Sequence, residues 1–60
     1  MSKYELYKTA YSELYESYLT IKKVRKDENG VLIFDCTVAG EEGEECIKLF
    51  RKEELTEFCL

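Results

Sequence analysis

The sequence predicts an α+β domain: an N-terminal amphipathic helix, a three-stranded antiparallel β-meander and a short C-terminal helix, in the order αβββα, as one domain over residues 1–60. Three observations predict it. Apolar and aromatic residues recur at helical spacing over residues 2–19. Alternating apolar residues follow an Asn-Gly pair in residues 29–38. A short stripe of Leu55, Phe58 and Cys59 closes the chain.

In the first element, Tyr4, Tyr7, Tyr11, Leu14, Tyr15, Tyr18 and Leu19 fall on one face of a helix, with Glu5, Lys8, Thr9, Ser12, Glu13, Glu16 and Ser17 opposite. Ser2 and Glu5 have capping-box spacing, in which each side chain satisfies an orphan amide of the first turn. Residues 20–26 mix β-branched residues with cations. They read as a strand, with extension of the first helix to Lys26 as the rival. Asp27-Glu28-Asn29-Gly30 is a tight-turn signal.

Val31 to Val38 is the next strand, with Leu32, Phe34, Cys36 and Val38 on the core face and Val31, Ile33, Asp35 and Thr37 on the other. Residues 39–45 form a glycine-punctuated acidic turn. Cys46 to Phe50 is the third strand, with Ile47 and Leu49 on one side. Arg51 to Leu60 is the short final helix, with Glu53 and Glu54 favouring its N-terminal dipole.

Composition narrows the chemistry. The chain is 45% apolar and 37% charged, against a disordered tail, and its net charge is −4. Without His, most hydrolytic triads and most zinc sites lose their usual residue. No G-x-S-x-G elbow or glycine-rich phosphate loop occurs, so no catalytic residue, metal site or cofactor is expected. A charge pair of Asp35 with Lys48 is expected instead. No signal peptide or membrane span is read. Cys36, Cys46 and Cys59 read as reduced thiols, which places the protein in the cytoplasm.

The helix–three strands–helix order is similar to that of the double-stranded RNA-binding domain. That resemblance implies a basic second helix, and Glu53, Glu54 and Glu57 depart from it. Thr20 to Leu60 also loosely resembles the single-stranded-DNA-binding transcriptional-coactivator fold. That fold has four strands before its helix, and the helical signature of residues 2–19 departs from it.

Function is therefore read as binding. Tyr4, Tyr7, Tyr11, Tyr15 and Tyr18 suit a surface that is apolar in the middle and wet at the rim. Glu41, Glu42, Glu44 and Glu45 suit a partner's basic groove. The expectation is a small acidic, non-catalytic protein-binding module, dimeric, of the class of phage or mobile-element inhibitors (anti-CRISPR or anti-restriction type) that dock on a nucleic-acid-handling enzyme. The alternative is a single-stranded nucleic-acid-binding module using Lys22, Lys23, Arg25, Lys26 and the tyrosine face. The competing view of those cations is an edge strand guarded against pairing.

Overall fold

Alternation along the chain, rather than helical periodicity, sets the architecture. The computed structural model describes residues 3–60. A 3-10 turn (Lys3–Leu6) leads into β1 (Thr9–Ser12), β2 (Ser17–Lys26) and β3 (Leu32–Val38). A second 3-10 turn (Glu44–Cys46) precedes β4 (Lys48–Arg51), and a third (Lys52–Glu54) precedes β5 (Leu55–Cys59). The five strands form one antiparallel sheet in the order β4-β3-β2-β1-β5.

The predicted αβββα order is overturned, since neither helix forms. The likeness in order to the double-stranded RNA-binding domain goes with it. The N-terminal misreading has a geometric cause. Tyr11 and Tyr18 lie two helical turns apart in sequence, but that spacing also makes them partners across a hairpin. They pair directly, with Ser12↔Ser17 inside them and Ala10↔Leu19 beyond. Their ring centroids are 5.2 Å apart. The Tyr4–Tyr7 spacing is that of a 3-10 turn, with centroids 5.8 Å apart. Aromatic and β-branched residues prefer strands, and a hairpin leaves phenol hydroxyls outside rather than in a core short of partners. Ser2, the predicted helix cap, lies outside the described residues.

The predicted C-terminal helix is a 3-10 turn and a strand. Here β5 covers the edge of β1, whose backbone groups need partners. Glu54, expected in a first helical turn, accepts the Arg51 backbone N–H at 2.8 Å. Residues 20–26 are a strand, as part of β2, and the helix extension is excluded. The third predicted strand shifts to Lys48–Arg51. Phe50 faces inward, while Leu49 is 59% exposed.

The β2–β3 hairpin follows its turn chemistry. The Asp27 carboxylate accepts the backbone N–H groups of Asn29 and Val31 at 2.8 and 3.0 Å, and Gly30 takes φ 80°. In β3 the predicted core face holds, with Phe34 and Cys36 fully buried and Leu32 and Val38 packed against the core, but Thr37, predicted on the other face, is buried as well.

The sheet curls strongly. In a flat sheet β3 and β5, separated by two strands, would lie about 14 Å apart. The Phe34 and Phe58 rings on those strands are instead 5.4 Å apart, centroid to centroid. The three-residue link Lys52–Glu54 likewise carries the chain from one edge of the sheet to the other. Curling encloses a core of Ala10, Leu19, Ile21, Phe34, Cys36, Phe50 and Leu55, drawn from all five strands. It also places different sequence segments at two ends of the sheet, which determines where the functional residues meet.

Candidate docking surface

The tyrosines do not form one face. Tyr4 and Tyr7 pack against the core beside Phe58, with Tyr4 also edge-on to Phe34 at 5.8 Å. The Lys52 ammonium sits 5.3 Å from the Tyr4 ring centroid, and a hydrogen bond with Tyr4 holds that ammonium above its ordinary pKa. Both rings therefore help to cover the core.

Tyr15, 40% exposed, lies in the β1–β2 turn against Phe50, with the Lys48 ammonium 5.9 Å from its ring centroid. Its backbone N–H donates to the buried Ser12 hydroxyl at 3.3 Å. Lys48 pairs across the sheet with Cys36, and Asp35 is opposite Leu49. The expected Asp35–Lys48 pair is thus replaced by Asp35 with Arg25 at 3.2 Å.

Tyr11 and Tyr18 stand together on the outer face of the sheet. Tyr18 is 47% exposed, and its hydroxyl donates to Glu57 at 2.9 Å. That hydrogen bond, then the Glu57 charge, raises the Tyr18 pKa. Glu57 occupies a bulge on β5: Thr9↔Cys59 and Tyr11↔Thr56 leave one extra residue on β5, and Glu57 takes φ 49°. Nothing in the sequence spacing flags Glu57, which lies 39 residues from Tyr18.

Glu41, Glu42, Glu44 and Glu45 are all exposed on the β3–β4 loop. The loop begins beside the aromatic pair. Leu19, next to Tyr18, pairs with Val38, and the Glu41 N–H donates to the Val38 carbonyl at 2.9 Å. Cys46 closes the loop by donating its thiol to the Glu42 carbonyl at 3.2 Å. Tyr11, Tyr15, Tyr18 and the loop glutamates thus share one end of the sheet, while Tyr4 and Tyr7 do not join them.

Lys22, Lys23, Arg25 and Lys26 are exposed on the far half of β2. The guarded-edge view of these cations is consistent with the pairing: β1 pairs with β2 only through Thr20, with the Ile21 N–H donating to the Lys8 carbonyl, so beyond Ile21 the ladder of β2 is with β3 on one side alone. Among the described residues, no group of three or more His, Cys, Asp or Glu side chains is placed to hold a metal ion. Cys36 is buried, and burial followed by the Asp35 charge pushes its thiol up to about 12. No helix of the described residues is long and apolar enough to cross a membrane. Comparison with known proteins finds no matching protein family, curated protein or solved structure.

Proposed function

We propose that the protein is a non-catalytic docking module that sets its aromatic and acidic end against the basic groove of a nucleic-acid-handling protein. The observation that carries this reading is the Leu19–Val38 pairing, which brings the acidic loop beside the Tyr11–Tyr18 pair. Exposed tyrosines held in place by a neighbouring ring and a carboxylate lose little freedom on binding, and Tyr is enriched among residues that dominate interface energy. The loop carboxylates add charge complementarity, which speeds encounter with a basic surface. Three unpaired thiols support a reducing, cytoplasmic setting. An inhibitor of the phage or mobile-element class fits this arrangement.

The test is capture from a nuclease-treated bacterial lysate on immobilised protein. Wild type is expected to retain one stoichiometric protein. Tyr11→Ser with Tyr18→Ser, and charge reversal at Glu41, Glu42, Glu44 and Glu45, are each expected to release it. Retention by both variants, or capture that depends on nucleic acid, would refute the reading.

A further inference from the structure

We infer that the opposite end of the sheet is a second contact surface, one that takes the phosphate backbone of a single-stranded nucleic acid. This inference is independent of the protein-docking reading and uses different residues.

The bulge in β2 builds the surface. Ile21 pairs with Cys36 and Lys23 with Asp35, so Lys22 is the extra residue. Ile21 is buried and Val24 packs against the core. Strict alternation from Ile21 would turn Lys23 inward. The inserted residue resets the faces, so that Lys23 and Arg25 both lie outward and Lys22 stays in solvent. Arg25 pairs with Ile33, which pairs with Arg51 on β4, adding a fifth exposed cation across the sheet.

These charges are poorly neutralised. Acidic residues outnumber basic ones 13 to 9 in the chain. Yet among the described residues only Arg25 of the β2 cations has a carboxylate partner, Asp35 at 3.2 Å. The nearby Asp27 carboxylate is occupied by two backbone N–H groups, and that of Glu54 by the Arg51 N–H. Glu28 in that hairpin and Glu53, two residues past Arg51, are the further exposed acids at this end. Like charges packed this closely repel one another, and an arriving anion relieves the repulsion.

The net charge of −4 does not cancel this attraction. The acidic loop follows Val38, while Arg25 and Lys26 lie opposite Ile33 and Leu32. Along β3, Lys26 lies about 20 Å from Val38, Arg25 about 17 Å and Lys23 about 10 Å, so screening at physiological salt is strong for the first two and partial for the third. Lys22, Lys23 and Arg25 span about 10 Å along the outer face of the strand, and Arg51 extends the row across the sheet, while Lys26, opposite the core-facing Leu32, falls on the other face. Such a line of charges suits a linear phosphate chain, gripped through its backbone without regard to sequence.

Fluorescence anisotropy with a labelled, mixed-sequence DNA strand of about 20 nucleotides tests the inference. With four phosphates contacted, log affinity is expected to fall against log salt with a slope near −3, which is about 50-fold between about 50 and 200 mM. Lys22→Gln with Lys23→Gln is expected to halve that slope, and so is Arg25→Gln with Arg51→Gln. Tyr11→Ser with Tyr18→Ser is expected to leave the slope in place, so failure here and failure of the docking reading are distinguishable. Circular dichroism confirms that each variant stays folded. No binding at about 50 mM salt, or a slope untouched by both lysine and arginine variants, overturns the inference. So does tighter binding to phosphatidylserine vesicles than to the strand. Lysine-dependent self-association without DNA overturns it too, by giving the surface to a second copy.

Discussion

Replacing Glu16 by glycine is expected to stabilise the protein, and the sign of the effect tests the fold itself. Glu16 sits in the β1–β2 turn at φ 51°, and its N–H reaches the Glu13 carbonyl at 3.3 Å. An L-residue with a Cβ pays about 1–2 kcal/mol to stay in that left-handed region. Glycine has no such penalty, but its freer unfolded chain returns about 0.5–1 kcal/mol. Glu16 is exposed, so little packing is lost. The net gain is about 0.5–1 kcal/mol, which for a domain of this size raises Tm by about 2–8 °C. Thermal melts by circular dichroism, with urea unfolding to check that the m-value is unchanged, measure it. In a helix over residues 2–19 the same change would fall at the start of the last turn and cost up to about 1 kcal/mol. A lowered Tm for Glu16→Gly would therefore refute the left-handed turn and the hairpin built on it.

Asp27→Ala removes the acceptor for two turn N–H groups and is expected to cost about 1–2 kcal/mol by urea unfolding, with Asp27→Asn recovering most of it. The Cys36 thiol, pushed up to about 12, is expected to resist alkylation at about pH 8 while exposed Cys59 reacts; adduct counting by mass spectrometry before and after denaturation checks this. Because that value is raised above the ordinary 9.0, the stability it contributes is present below pH 9 and is lost as pH climbs toward 12. Tyr18 follows the same sign: the support it draws from Glu57 is present below its ordinary 10.0 and fades as the phenol ionises above it. Glu57→Gln is expected to lower the phenol titration, and an unchanged absorbance titration would contradict the assignment.

The middle of the fold was legible because two independent signals agree there. Asn29-Gly30 specifies a turn, and Leu32, Phe34, Cys36 and Val38 alternate on one face, so both turn chemistry and period point to a hairpin. Residues 4–19 were misread because apolar spacing alone is ambiguous. A 3-10 turn spaces Tyr4 and Tyr7, and a hairpin makes partners of Tyr11 and Tyr18, so two different structures reproduce helical arithmetic. The strand preference of Tyr and Thr was the available counter-signal. The C-terminal strand depends on a distant partner, the edge of β1, which local pattern cannot report. At the site, the loop glutamates were legible as exposed charge. The separation of Tyr4 and Tyr7 from Tyr11 and Tyr18, and the support that Glu57 gives Tyr18, required the fold.

The two ends of the sheet owe their opposite characters to β2. It runs from the aromatic pair at Tyr18 to the cations at Lys26, and the extra residue at Lys22 keeps Tyr18, Lys23 and Arg25 outward while Leu19, Ile21 and Val24 face the core. Hairpin connections then sort charge by end: the β3–β4 loop returns its glutamates to the tyrosine end, and the β2–β3 turn keeps the cations at the other. Lys26 lies about 20 Å from the start of the acidic loop and is screened from it at physiological salt, while Lys23, about 10 Å away, is screened only in part. On the proposed reading, an acidic end seated in a protein's basic groove would compete there with the phosphates that groove holds, and the cationic end would stay free to grip a phosphate chain outside it. The division is partial, because Asp27, Glu28, Asp35, Glu53 and Glu54 lie among the cations, and so the acidic loop, which carries no cation, is the more strongly charged of the two ends.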